Sequence, residues 1–309
     1  MNSGQLYLVE EELEHYRDGL INRREFMKRA VLFGATSAAA AAMVSGMTPK
    51  RAAAAPPAQT SPFSVAVDDP AITSDMITYQ SSDGATLVAY LALPAGAGQD
   101  RSLPAVVVCH ENRGLQPHNT DVTRRYAKQG YVAIAPDLPS RFGTPSADLS
   151  AEALMSAVGR LDPAQNARDF LAALALVRDH PAVNPAKTAA TGFCFGGGVI
   201  WRLTTIDDQL TAAAPFYGGS PPSEEAQRIK AAVLGIYASD DPNINGRRGP
   251  WVEALAEAGV RYQINEYPGT RHGFHNDTGQ AYNPEAAAQA YADTLNWFAQ
   301  YLDLPAPRL

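Results

Sequence analysis

Short uninterrupted apolar runs, alternating with stretches of helical periodicity, constrain this chain more than any other feature. PAVVVCHE (104–111) is apolar without alternation through its centre. Such a run reads as a strand covered on both faces. TDVTRRYAKQG then reads as a helix with a glycine end, YVAIAPDL as the next strand, and DPAQNARDFLAALALVRDHP as a helix stopping at Pro181. KTAATGF, LTAAAPFYG, AAVLGIYA and VRYQINEY are further strands, and GGVIWRLTT, GPWVEALAEAG and PEAAAQAYADTLNWFAQYL further helices. Ahead of them, MITYQ and TLVAYLAL flank Asp83-Gly84 as a hairpin. Strands alternating with helices predict an α/β fold, a mostly parallel central sheet with helices on both faces. No internal boundary interrupts the pattern, and 309 residues at 46% hydrophobic and 18% charged suffice for one such domain.

The first 54 residues read differently. NRREFMKRA sets Arg23 and Arg24 side by side, VLFGATSAAAAAMVSGMTP follows as a weakly apolar segment, and KRAAAAPPAQTSP supplies small residues and then a Pro/Ser/Thr linker. This order resembles a twin-arginine (Tat) export signal over 1–54, a linker over 55–74 and a folded domain over 75–309. So alanine-rich a segment is a poor permanent membrane span. The expected location is periplasmic or otherwise extracytoplasmic, with the Tat export machinery as a transient partner. The acidic opening YLVEEELEHYRDGL is foreign to a signal of this kind. Residues 1–54 hold seven Lys/Arg against six Asp/Glu, a net of +1, so the rest carries −8 of the total −7. An acidic domain without a basic stripe excludes nucleic acid as the expected partner.

The chemistry centres on TGFCFGGG (191–198), which holds one of only two cysteines; Cys109 is the other. A strand, then Gly192-x-Cys194-x-Gly196, then a helix is the setting of a nucleophile elbow, with Cys where Ser is more usual. Glycines on either side let the turn close without Cβ clashes. The helix starting beside Cys194 turns its positive end toward the sulfur. A core cysteine, or a disulfide with Cys109, is the alternative. A nucleophilic thiol needs a base, and the base an orienting group. After Cys194 the only histidines are His272 and His275, in YPGTRHGFHND, and Asp240 and Asp241 follow the strand VLGIYA. Nucleophile, acid and histidine thus fall in α/β-hydrolase order, each after a strand. His110, His118 and His275 have no metal-ligand spacing, so no metal is expected, and GGG is not followed by the Lys-Ser/Thr of a phosphate loop.

HENRGL, APDLPSRFG, GFCFGGG, YASDDPNIN and YPGTRHGFHND resemble the dienelactone hydrolase family of α/β-hydrolases, from about Met76 to the terminal helix. The resemblance implies a cofactor-free hydrolase of carboxylic esters or lactones, of carboxymethylenebutenolidase type, acting on a small-molecule substrate. It implies Cys194 as nucleophile, His272 as base and Asp241, with Ile244 three residues on, as the orienting acid. Glu111 matches a family glutamate that touches the resting cysteine, and such a carboxylate disfavours the thiolate. The backbone N–H groups of Asn112 and Phe195 would form the oxyanion hole. Arg141 aligns with an arginine that binds the substrate carboxylate, while the place of the family's second arginine is taken by Asn276. That departure argues against dienelactone itself as the substrate and leaves ester or lactone chemistry intact. A catalytically silent exported binding protein and a redox protein using Cys194 with Cys109 are the alternatives from other classes.

Overall fold

The computed structural model describes residues 1–49, 60–100 and 102–307. Eight strands form one sheet: β1 (Ile72–Gln80), β2 (Thr86–Pro94), β3 (Leu103–Cys109), β4 (Val132–Asp137), β5 (Val183–Phe193), β6 (Ala212–Phe216), β7 (Ala232–Asp240) and β8 (Tyr262–Arg271). Their order across the sheet is β1-β2-β4-β3-β5-β6-β7-β8. The β1–β2 and β2–β4 pairs are antiparallel, and every pair from β4 onward to β8 is parallel. The hairpin turns at Gly84, whose φ of 85° is the left-handed geometry that a glycine adopts without strain.

The central parallel strands are the apolar runs of the sequence, for the expected reason, whereas β8 at the edge is mixed and only partly buried. Val106, Val107 and Val108 of β3 and Ala212, Ala213 and Ala214 of β6 are all fully buried, which requires cover on both faces. That cover comes from α4 (Pro117–Lys128), α6 (Pro163–Asp179), α7 (Phe195–Thr204), α8 (Pro242–Glu257) and α9 (Pro284–Tyr301), with the short α5 (Ala151–Gly159) beside them. Tyr126 of α4 meets Tyr291 and Phe298 of α9, while α6 and α7 pack on each other over β5. β3 stops two residues before Glu111, which therefore lies in the loop after the strand rather than at its end.

The reading of the N-terminal stretch as lying outside the fold is corrected here. Residues before 50 form α1 (Ser3–Arg17), α2 (Arg23–Leu32) and α3 (Ser37–Met43). Leu8, Val9, Phe26, Ala30, Phe33 and Ala40 are buried in the common core. Gln5 donates to the carbonyl of Gly159 (3.0 Å), and Arg29 on α2 pairs with Glu12 on α1 (2.9 Å). Arg23 and Arg24 remain exposed at the start of α2. Local composition marked an export segment, but burial depends on which surface those apolar residues meet. The expected linker is only partly described: 55–59 lie outside the described residues, and β1 already begins at Ile72. Among the described residues, no helix is long and apolar enough to cross a membrane.

Candidate active site

β5 ends at Phe193 and α7 begins at Phe195, so the whole reversal falls on Cys194. Its φ of 59° and ψ of −121° are strained for any residue but glycine. The turn also needs bare neighbours. A Cβ on Gly192 would come within 2.6 Å of the Gly196 carbonyl oxygen and 2.7 Å of Cys109 Cβ, and one on Gly196 would strike the backbone of Cys109 and His110. The strained cysteine and its glycine flanks are one device, since a strand can turn straight into a helix only where the chain crosses itself closely. Cys109 and Cys194 are both free thiols.

His272 and Asp241 meet at this turn. Asp241 caps the start of α8 by accepting from the Ile244 N–H (3.3 Å), and its other oxygen lies 2.6 Å from His272 Nδ1. Asp240 points into solvent, while Asp241 is buried. The nearer acid is thus Asp241, because helix capping pins its carboxylate. His272 Nε2, the ring nitrogen left over, is buried without a hydrogen-bond partner on the side of Cys194. Burial alone would disfavour the imidazolium, but the Asp241 carboxylate and then the Cys194 sulfur outweigh it, and the His272 pKa rises well above its ordinary value. Burial, then the carboxylate of Glu11, pushes the Cys194 thiol up to about 12, against the pull of His272. The covered cysteine is therefore a neutral thiol at physiological pH. His275, the other histidine after the elbow, stacks on Phe193 at 4.7 Å, and burial keeps it neutral. It is a core residue.

Two expectations are corrected by geometry. Glu111 makes no bond to the sulfur: its carboxylate accepts from the Asn276 side chain (2.5 Å), the position where the resemblance expected a second arginine. Only its charge, as the expectation had it, disfavours the thiolate. The carboxylate on Cys194 is Glu11 of α1, 2.9 Å from Sγ. Arg141 spends its guanidinium on the fully buried Asp169 (2.9 Å) and on Asp83 at the hairpin turn (2.7 Å). It lines neither of the cavities that flank α1, of about 430 and 320 Å³. Asn112 lines the larger one with Cys194, and Phe195 lines the smaller. As the first residue of α7, Phe195 carries one of the N–H groups that a helix start leaves unpaired.

Sequence reasoning missed Tyr7, Glu11, Glu14 and Tyr217. Tyr7 Oη lies 3.9 Å from Cys194 Sγ, and the Glu14 carboxylate accepts from the Asn243 N–H (3.2 Å) beside Asp241. Tyr217, with its ring 4.9 Å from that of His272, walls the histidine from behind. A signal existed for the first three: positions 7, 11 and 14 share one face of a helix. Among the described residues, two donor sets have their ligand atoms within 4.8 Å of one another, Glu11 with Cys194 and His272, and Glu14 with Asp241 and His272. Both draw on α1 as well as on the domain.

Residues 87–302 match the model of the Dienelactone hydrolase family. A protein of Salmonella typhi named as a carboxymethylenebutenolidase is 32% identical over 251 residues, which is 78% of this chain and 92% of that protein. A solved structure from Klebsiella pneumoniae, titled a dienelactone hydrolase, superposes with a TM-score of 0.68 at 32% identity, covering 75% of this chain and all of the other. A dienelactone hydrolase-like promiscuous phosphotriesterase from metagenomic libraries gives 0.66 at 27% identity, covering 75% of this chain and 99% of the other.

Proposed function

This chain belongs to the dienelactone hydrolase family, hydrolases of the lactone and ester type, and on that premise we propose that it cleaves its substrate through an acyl-cysteine formed on Cys194. The observation that supports this most is the geometry of His272, with Nδ1 committed to Asp241 and Nε2 turned unpartnered toward the sulfur on its strained turn. In the reaction, with the sulfur uncovered, the proton of the Cys194–His272 pair rests on Nε2, as the raised His272 pKa favours, and Sγ attacks the carbonyl carbon of the ester or lactone as the thiolate. The oxyanion so formed accepts from the N–H groups of Asn112 and Phe195. Its collapse breaks the acyl C–O bond, and the departing alkoxide, which in a lactone stays on the same molecule, takes the proton back from His272. Water, deprotonated by the same nitrogen, then attacks the thioester and returns the sulfur. Asp241 keeps the tautomer that leaves Nε2 free and stabilises the imidazolium. With Arg141 tied to Asp169 and Asn276 tied to Glu111, neither place serves as a carboxylate clamp, so the reading is ester or lactone hydrolysis in general.

The test is a panel of chromogenic esters and lactones followed by mass analysis of the quenched enzyme. The reading expects acyl mass on the peptide bearing Cys194, absent in Cys194→Ala. Turnover that survives Cys194→Ala would overturn it. Export through the Tat pathway, to a periplasmic or extracytoplasmic site, is part of the same proposal and is supported by the exposed Arg23-Arg24 pair. Replacing both with lysine is expected to leave the protein in the cytoplasm; normal export of that variant removes the Tat assignment.

A further inference from the structure

The acidic N-terminal stretch that did not suit an export signal has a place in the structure: it lies over the reacting sulfur. α1 crosses the site with one face. Glu11 sits on Cys194 Sγ at 2.9 Å, with Tyr7 on the same sulfur at 3.9 Å and Glu14 at the start of α8. One residue before Glu11, Glu10 grips Arg247 of α8 through both oxygens (2.5 and 2.7 Å). Leu8 and Val9, buried to within 1% of full cover, seat the helix.

Two physical points separate an occupant from a wall. A carbonyl carbon must come to about 3–3.5 Å from the attacking sulfur. Glu11 already fills that shell, and Cys194 is left only 3% exposed. The seat is also expensive to hold. Glu11 Oε2 is buried with no hydrogen-bond partner, and a buried polar atom left unpaired carries its full desolvation cost. Burial raises the pKa of Glu11, and burial together with Asp241 holds Glu14 up at about 7. A helix that pays such costs is more readily displaced than an apolar strut.

We propose that α1 is an inhibitory segment, which holds the intact chain silent by occupying the substrate's place on Cys194, and that its displacement is the activating event. The proposal rests on the assignment of Cys194 as the reacting group. An inhibitory segment of this kind suits a protein that folds before it reaches its place of work, since the N-terminal region carries both the export arginines and the cover. Covering the thiol also shields it from oxidation, which requires access and thiolate character.

The test uses the full chain. Arg247→Glu sets a carboxylate against Glu10 and Glu14 at a half-exposed position, and Leu8→Asp unseats the helix from below. Hydrogen exchange over residues 3–17 reports whether the helix has left, iodoacetamide alkylation reports access to Cys194, and the ester panel reports turnover. With the helix displaced, alkylation at Cys194 is expected to rise at least tenfold and turnover with it, in both variants. Displacement that leaves alkylation slow would overturn the proposal. So would alkylation that rises while turnover falls, because α1 would then be a working wall of the site. Should Leu8→Asp fail to fold, Arg247→Glu carries the test alone. Turnover that rises on displacement yet survives an added Cys194→Ala would reject the nucleophile and leave the inhibition standing.

Discussion

The α/β domain and the N-terminal helices place carboxylates around one sulfur in opposite ways. In the domain, Asp241 is pinned by capping α8 and spends its second oxygen on His272. On α1, Glu11 reaches the same site from 183 positions away along the chain, with one oxygen on the thiol and the other unpartnered. In the first arrangement both carboxylate oxygens are bonded; the second leaves buried hydrogen-bonding capacity unused. The contrast teaches that proximity to a reacting atom does not by itself identify a working residue. What separates the two is whether the contact leaves room for substrate.

The strongest way to break this contrast is on the domain side. In the Arg247→Glu chain, Cys194→Ala and His272→Ala are each expected to lower ester turnover by about a million-fold, the loss seen when the nucleophile or base of a hydrolase triad is removed. Asp241→Asn is expected to cost about ten-thousand-fold through the wrong histidine tautomer. A His272→Ala variant that loses less than tenfold would place the base elsewhere.

Arg141 comes next. Its ion pair with Asp169 is buried on the acid's side and nearly so on its own, with side-chain exposures of 0% and 15%. Removing one partner from such a pair costs about 3–5 kcal/mol. Arg141→Ala is therefore expected to lower Tm by several degrees with little change in KM. A KM rise for carboxylate-bearing esters at unchanged Tm would return Arg141 to substrate binding.

The cover on the site is expected to depend on pH with a definite sign. The docked helix favours neutral Glu11 and Glu14, because burial raises both, and Asp241 adds to the effect on Glu14, held at about 7 against an ordinary value of 4.5. The contribution of these two groups to docking is therefore full below about pH 4.5 and weakens as pH climbs toward 7, the opposite of a carboxylate held in an ion pair. Glu12, which burial alone would raise, is instead held below its ordinary range by His15 and Arg29; its contribution is complete above pH 4.5 and does not change in that window. The ratio of Cys194 alkylation rates, Arg247→Glu chain over intact chain, is expected to fall from pH 4.5 to 7, and Glu14→Gln to flatten the slope. A ratio that rises with pH would reverse the assignment. The smallest effect belongs to Asp240→Asn, expected to leave turnover within about twofold because that side chain faces solvent.

The domain was legible because its information is local. Fully apolar runs announced the parallel strands, and Gly192 and Gly196 announced a tight turn before the backbone of Cys109 and His110 was seen pressing on it. Cys194, Asp241 and His272, named in that chain order, lie together because chain order fixes which loops gather at one edge of a parallel sheet. Glu111 was misplaced by chain position: β3 stops at Cys109, and two further residues of loop turn the carboxylate to Asn276. Arg141 was misplaced because its partner Asp169 lies 28 positions on, in α6.

By itself, then, the sequence determined the alternating architecture, the elbow and the residue types of the site, since each follows from patterns within a few turns of chain. It also displayed a helical face bearing Tyr7, Glu11 and Glu14, but not what that face would meet. Only the tertiary structure decided that this face lies on Cys194, that Asp241 rather than Asp240 reaches His272, and that Arg141 is bound within the framework. The physical reason is common to all three. A side chain's partner across the fold depends on how whole elements pack, and the free energy of that packing is spread over surfaces that no local pattern records.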